Sequence, residues 1–334
     1  MSNKFFGKQK EETGTVNRIS HSQFKKYRSC PAKWAWEYVE GLSPPDESIH
    51  LVFGVAIHEV LQLYLRKMYE ETVRKADDLD LKTKFTSLLK KEYDKRKESF
   101  EEKHSDRKFP VTKKEMVQFA EDGKAIIEHF KRNRSEHFNK QKTSLVGIEE
   151  KIEQKVQKGV VWVGYLDVVI RDRKSGKYKI IDLKTSTDGW DKWKRREKKR
   201  TDQLVAYKSF YAEQLGIDPN QIEIEYLILK RKVDDYEPRF QQFTPASGKE
   251  ERERVQSKIE EFLEECFTDE GEYRKKEHEK NEGKWNCCFC PFATQFAEEG
   301  FGVCDQSGKR YMDYPNSMKP YIPNKLCGPQ PEQK

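Results

Sequence analysis

The sequence predicts a mixed α/β fold, a sheet flanked by helices, and three observations carry that prediction. Residues 164–186, GYLDVVIRDRKSGKYKIIDLKTS, read as two strands joined by the polar turn Arg173-Lys174-Ser175-Gly176. Val168, Val169 and Ile170 lie on one arm and Tyr178, Ile180, Ile181 and Leu183 on the other. Around this hairpin the elements run strand, strand, strand, helix, strand after a set of N-terminal helices, the order of a mixed sheet with helical cover. Before the hairpin a long charged stretch with thin apolar stripes predicts a helical insert.

In chain order, residues 1–19 are expected to be a flexible N-terminus. From Ser20, SHSQFKKYRSCPAKWAWEYVEGL reads as a capped helix with Phe24 and Tyr27 on one face. It breaks at Cys30-Pro31 and leads into an aromatic-rich segment with Trp34, Trp36 and Tyr38. SPPDES at 43–48 is a linker. Residues 51–69, LVFGVAIHEVLQLYLRKMY, predict a buried helix carrying one imidazole, His58, with Gly54 a turn before it. Residues 20–70 thus supply N-terminal helices to the core. Residues 71–143 carry Phe85, Leu88 and Leu89, then Met116, Phe119, Ile126, Ile127 and Phe130. They predict two or three helices, interrupted around Phe109-Pro110, that could form a lobe of their own. Residues 144–267 hold the core. A strand at 144–156 leads into the hairpin, then come a basic loop at 185–200, a helix at 202–215, strands at 222–229 and 236–243, and a charged helix at about 246–267. Residues 268–334 hold a cysteine cluster and a Pro-rich tail. No repeat at solenoid spacing is present.

Composition narrows the class. Of 334 residues 35% are hydrophobic and 37% charged, so much of the polarity must go into long solvated helices. The net charge of +7 is spread over 65 basic and 58 acidic residues, which favours a polyanionic partner only modestly. No apolar run approaches the roughly 20 residues that span a bilayer, and the first residues lack the apolar core of a signal peptide. The expectation is a soluble cytoplasmic protein without a membrane partner. Seven cysteines, an odd number gathered towards one end, suit a metal site in a reducing compartment better than a disulfide framework.

The hairpin also carries chemistry. With its turn centred between Lys174 and Ser175, Asp167 falls opposite Asp182. Directly opposed like charges destabilise a sheet by up to about 1 kcal/mol, so such a pair calls for a cation between them. Side chains alternate along a strand, which places Lys184 on the face of Asp182. Two carboxylates and a lysine are the parts that phosphodiester hydrolysis needs: ligands for a charge-neutralising metal and a cation to orient water. Glu149 and Glu150 could add a carboxylate; as strand neighbours they face opposite ways, so at most one can.

Two further stretches stand out. WDKWKRREKKR at 190–200 sets seven basic residues against two acidic ones. Trp190 and Trp193 could stack on bases while Lys194, Arg195, Arg196, Lys198, Lys199 and Arg200 contact phosphates; a solvated loop is the plainer alternative. Cys287 and Cys290 form a CxxC pair, which could bind zinc, do redox chemistry or be incidental.

GYLDVV, then IIDLKTS, then QLVAY at 203–207 resemble the motif series of the PD-(D/E)XK nuclease superfamily, in particular its RecB-like branch, which includes the Cas4 proteins. The likeness covers roughly residues 20–66 and 145–304. It implies a restriction-endonuclease-like mixed sheet core with Asp167, Asp182 and Lys184 as the active site and Gln203 and Tyr207 as the QxxxY motif. It further implies that His58 and the Leu183 carbonyl join Asp167 and Asp182 around Mg2+ or Mn2+. In members of this branch one cysteine before the core and three after it hold a [4Fe–4S] cluster, which here implies Cys30, Cys287, Cys290 and Cys304. The gap from Cys290 to Cys304 exceeds that in the relatives, so Cys288 or Cys327 could be the fourth ligand, and Zn2+ is the alternative metal. The implied function is a metal-dependent DNA exonuclease acting on duplex ends or single strands in recombination, repair or phage DNA processing. The alternative is a weakly catalytic or non-catalytic DNA-processing subunit. With no GxxxxGK[ST] in the chain, unwinding would need a helicase partner, and a recombinase is a second candidate partner.

Overall fold

The computed structural model describes residues 16–42, 47–105, 108–234 and 237–281, together with Cys287, Cys290, Phe292 and Cys304. The first fifteen residues, most of the SPPDES linker, Cys288, Cys327 and the Pro-rich tail lie outside the described residues.

A short strand β1 (Asn17–Ile19) opens the chain and is followed by α1 (His21–Ser29) and α2 (Pro31–Tyr38). The Ser20 side chain caps α1 by accepting from the Gln23 N–H, and Pro31 begins α2, where its missing N–H leaves no donor unpaired. The apolar helix α3 (Ile49–Glu70) precedes α4 (Val73–Asp77), α5 (Leu81–Lys103) and α6 (Lys113–His137). Thr112 and Glu115 form a reciprocal capping box at the start of α6. Three strands follow, β2 (Thr143–Gln157), β3 (Val160–Asp172) and β4 (Tyr178–Ser186), then α7 (Lys192–Arg196) and α8 (Lys198–Leu215). The chain closes on β5 (Ile222–Lys230), β6 (Phe240–Phe243) and α9 (Lys249–Cys266).

The six strands form one mixed sheet in the order β1-β3-β4-β5-β6, with β2 also paired to β3. β4 and β5 run parallel with α8 between them; β3 and β4 are antiparallel in the register expected from the turn, Val168 opposite Ile181 and Arg171 opposite Tyr178. Asp172 Oδ1 accepts from the Lys174 and Ser175 N–H groups, and Gly176 takes the left-handed conformation that the turn requires.

One helical layer covers each face. α1, α8 and α9 pack on one side, where Phe24, Trp34, Trp162, Leu204, Tyr226 and Phe262 share a core. α3 and the charged segment pack on the other, where Phe53, Leu61, Phe85 and Phe130 meet Val168, Ile181 and Leu227. The charged segment is therefore no separate lobe: its thin apolar stripes dock on α3 and the sheet. Helix α3 has the length and composition of a membrane span, contrary to the reading that no stretch comes close, yet Val52, Phe53, Val60, Leu61 and Leu65 are buried in this core.

The edge of β3 is shared. β2 runs along one edge from Thr143 opposite Asp172 to Gln157 opposite Val160. On the other, β1 pairs only with Val160, Val161 and Trp162, and β4 only from Val168 onward. Asp167 stands where the edge opens.

Candidate active site

Every residue expected around the metal comes to this opening. Leu183 donates its backbone N–H to Asp167 Oδ2 at 2.7 Å, so the carboxylate takes the place of a main-chain acceptor where the β3–β4 ladder stops. His58, on α3, reaches in from the opposite layer with Nδ1 3.7 Å from the same Oδ2, and the Leu183 backbone is close enough to act on the imidazole. Lys184 Nζ lies 2.7 Å from Asp182 Oδ2 in an ion pair. Asp182 is 3% exposed.

Burial decides the protonation states. It lifts both Asp167 and Asp182 to about 6, against the pull of the Lys184 ammonium. It holds His58 down to about 4, with Lys184 adding to the effect and Asp182 and Glu149 opposing it. For Lys184 burial acts to lower the pKa, but the Asp182 and Asp167 charges outweigh it and the ammonium is held above its usual value. At neutral pH the site thus contains two carboxylates, a neutral imidazole and a cation.

Tyr207 closes the site from α8. Its hydroxyl accepts from Gln203 Nε2 at 3.5 Å, and its ring lies beneath Gly164, where a Cβ would fall 2.8 Å from Cε1. The glycine of the GxxD sequence is thus required by the close approach of this ring. Of the two neighbouring glutamates, Glu149 is the one whose charge reaches His58 and Asp167. Gln62, one turn after His58, is a contributor that sequence reasoning missed, since glutamine on an apolar helix carries no motif. Asp202 was missed too: fully buried, it binds Arg28 of α1 and Arg254 of α9 and so fixes the two helices to α8 beside the site.

Among the described residues no three His, Cys, Asp or Glu side chains converge as a ready-made metal cage. The donor chemistry still fits a hard divalent cation, because two buried carboxylates, each raised to about 6 and the charge of one acting on the other, lie beside an imidazole that is neutral at pH 7.

The basic stretch departs from the loop expected at 185–200. It forms α7, capped by Asp191, and the first turn of α8. Trp190 is 4% exposed, its ring packed on Tyr226 and Phe243 and its backbone held by Gln241, so it is a core residue and unavailable for stacking on a base. Trp193 is 77% exposed, and Lys194, Arg195, Arg196 and Lys198 are exposed around it. Lys199 and Arg200 are half-buried, with Arg200 over the Trp190 ring and bonded to Glu197.

Two of the cysteines belong to a small cluster distinct from the two main cores. Cys290 and Cys304 are buried with Phe292 against Trp36 and Leu42. Burial raises the Cys290 pKa, and Cys30 and Cys304 are near enough to act on it too. The Asn281 N–H donates to Cys30 Sγ at 3.5 Å, and the Cys290 N–H donates to the Cys287 carbonyl at 3.1 Å.

A family model described as the PD-(D/E)XK nuclease superfamily matches residues 18–295. The matched stretch contains His58, Asp167, Asp182, Lys184, Gln203 and Tyr207 and ends before Cys304. No curated protein matches the chain.

Proposed function

The chain belongs to the PD-(D/E)XK nuclease superfamily, and from that premise we propose that it is a Mg2+- or Mn2+-dependent DNA exonuclease of the RecB-like, Cas4-like kind. It acts on DNA ends or single strands in the cytoplasm, with a helicase or recombinase as partner. The observation that carries this reading is the meeting of His58, Asp167, Asp182 and Lys184 around the Leu183 backbone at the open edge of β3.

His58, Asp167, Asp182 and the Leu183 carbonyl would hold the ion. When bound it supplies Lewis-acid neutralisation of the scissile phosphate. The Lys184 ammonium donates to the attacking water and fixes its approach, and it stabilises the charge that develops on the phosphoryl oxygens. The water oxygen would form its bond to phosphorus as the bond to the leaving oxygen breaks in line with it, the water releasing one proton to solvent and the leaving oxygen taking one from solvent. Gln203 and Tyr207 position Lys184, whose charge acts on the buried phenol. Trp193 and the exposed cations of α7 would carry the strand to this point, indole on base and ammonium or guanidinium on phosphate.

Cys30, Cys287, Cys290 and Cys304 are assigned to a [4Fe–4S] cluster, with Zn2+ as the alternative. In support, the Cys30 and Cys304 thiols, far apart in sequence, both lie within electrostatic reach of Cys290, and four thiolates are the usual cluster ligation.

The test is digestion of end-labelled linear and circular single-stranded DNA with Mg2+ or Mn2+, comparing wild type with Lys184→Ala. Linear DNA should be degraded, circular DNA spared, and the variant slowed by at least about 100-fold. No metal-dependent cleavage of any substrate, or undiminished cleavage by the variant, overturns the catalytic reading. A tight, salt-sensitive complex without turnover would mark a non-catalytic processing subunit.

A further inference from the structure

Among the described residues Glu149 is the one non-glycine residue with a positive φ, +53°. That left-handed conformation is uncommon for a long side chain, and where the surrounding structure enforces it the strain concentrates at functional sites. Glu149 lies between two ladder pairs, Ile148 with Val168 and Glu150 with Leu166, and so stands across from Asp167. Both strands change face at this point. Ile148 and Val168 pack with the α3 layer, whereas Ile152 and Leu166 pack with the α8 layer, although side chains an even number of residues apart should share a face.

The strained residue is gripped from α3. Gln62 Nε2 donates to Glu149 Oε1 at 2.6 Å and to the Asp167 carbonyl at 3.3 Å, one amide group with two hydrogens serving two strands. Gln62 is 7% exposed, while Glu149 is exposed and open to water. The charge of Glu149 acts on both His58 and Asp167. Were this pair only a structural tie, a residue free of left-handed strain would serve as well at position 149.

We propose that Gln62 is a positioning residue that ties Glu149 to the Asp167 strand and so holds the Glu149 carboxylate over the waters of a divalent ion bound by His58, Asp167 and Asp182. The inference rests on the nuclease reading and adds to it the residues that set ion affinity. Magnesium and manganese sites of this kind keep several waters, and carboxylates that accept from those waters change affinity by about 10- to 100-fold without being ligands. The backbone strain is then the structural cost of aiming that carboxylate.

The experiment is Mn2+ titration calorimetry of the full chain without DNA, paired with melting in chelator. Gln62→Met keeps the volume of the side chain and removes its amide; it should weaken Mn2+ binding about 10-fold. Glu149→Gly removes the carboxylate and accepts the left-handed backbone. It should weaken Mn2+ by a like factor while its Tm in chelator rises by about 2 to 4 °C. Mn2+ affinity equal to wild type in Gln62→Met, or a Glu149→Gly variant that binds Mn2+ normally or melts lower, overturns the inference. Wild-type protein that takes up no Mn2+ overturns the nuclease reading itself and this inference with it.

Discussion

The Leu183 N–H binds the Asp167 carboxylate at 2.7 Å, so a side chain rather than a carbonyl makes the last rung of the β3–β4 hairpin. The rung anchors a buried charge that the fold otherwise disfavours. Burial lifts Asp167 to about 6, above its ordinary value of 3.8, so the folded chain binds the proton more tightly than the unfolded one. Stability from this group is fully present below the unfolded pKa and is lost as pH rises towards about 6.

Asp167→Asn keeps an acceptor for Leu183 and removes the charge. Without metal it should stabilise the protein at pH 8 by about 1 to 2 kcal/mol, less than the full shift implies because the amide that replaces the carboxylate is itself a polar group with a desolvation cost at this buried position. The gain should shrink towards pH 4, where wild-type Asp167 is protonated. Urea denaturation at both pH values measures it; a variant less stable than wild type at pH 8, or a difference independent of pH, contradicts this account. Cleavage by wild type should fall as pH drops through about 6, because both carboxylates must be ionised to hold the ion.

Gly164→Ala would drive a methyl group to 2.8 Å from Tyr207 Cε1. Tyr207 is packed on its helix, so the strain should cost about 1 to 3 kcal/mol. Gly164→Ala with Tyr207→Leu should recover most of that stability and yet remain slow in cleavage, since the phenol beside Lys184 is gone. Thermal melting and single-turnover cleavage of the two variants separate packing from positioning. A double variant no more stable than Gly164→Ala would show that the ring is not the obstruction.

The hairpin register was legible because turn chemistry and strand alternation are local, and so were Asp167, Asp182 and Lys184, which alternation places. Contacts between distant residues were not. Gln62 and Glu149 are 87 residues apart, and nothing in either neighbourhood announces the pair. Strand β1 is only three residues long, too short for a period, so the shared edge of β3 could not be foreseen. The apolar stripes of Phe85 and Phe130 showed helices without showing where those helices dock. Lys198 to Arg200 read as loop because charge masks a first helical turn whose order comes from packing of the rest of α8.

Trp190 and Trp193 test that lesson directly. Three residues apart in one basic stretch, they have opposite surroundings: Trp190 fills the core beside Tyr226, and Trp193 stands in solvent. Trp190→Ala should cost about 3 to 5 kcal/mol of folding stability. Trp193→Ala should change stability by less than about 0.5 kcal/mol while weakening single-stranded DNA binding by about 1 to 3 kcal/mol, the worth of one stacked base. Melting and fluorescence anisotropy with an oligonucleotide measure the pair. Unchanged DNA affinity in Trp193→Ala would remove the indole from the strand path.

The cysteines provide the last prediction, because the fold already brings Cys30 beside residues 279–281. Ala32 donates its N–H to the Glu279 carbonyl, and Asn281 Nδ2 donates to the Ser29 carbonyl, so Cys30 is held against the segment leading to Cys287. Cys266 is a natural control: it is buried in the core beneath Phe262 and Phe267, and burial raises its thiol pKa. Anaerobically purified wild type should be brown and contain four irons per chain if the assignment to a [4Fe–4S] cluster holds. Cys290→Ser should lose that iron and melt several degrees lower, since metal binding that joins distant segments is also folding energy. Cys266→Ser should keep the iron. A colourless wild type with one zinc per chain would replace the cluster with a zinc site, and iron retained in Cys290→Ser would remove Cys290 from the ligand set. Cleavage by the Cys290→Ser protein should weaken without a shift in its pH profile, because the groups that act on Asp167 and Asp182 are Lys184, Glu149, His58 and the Leu183 backbone and not the thiols.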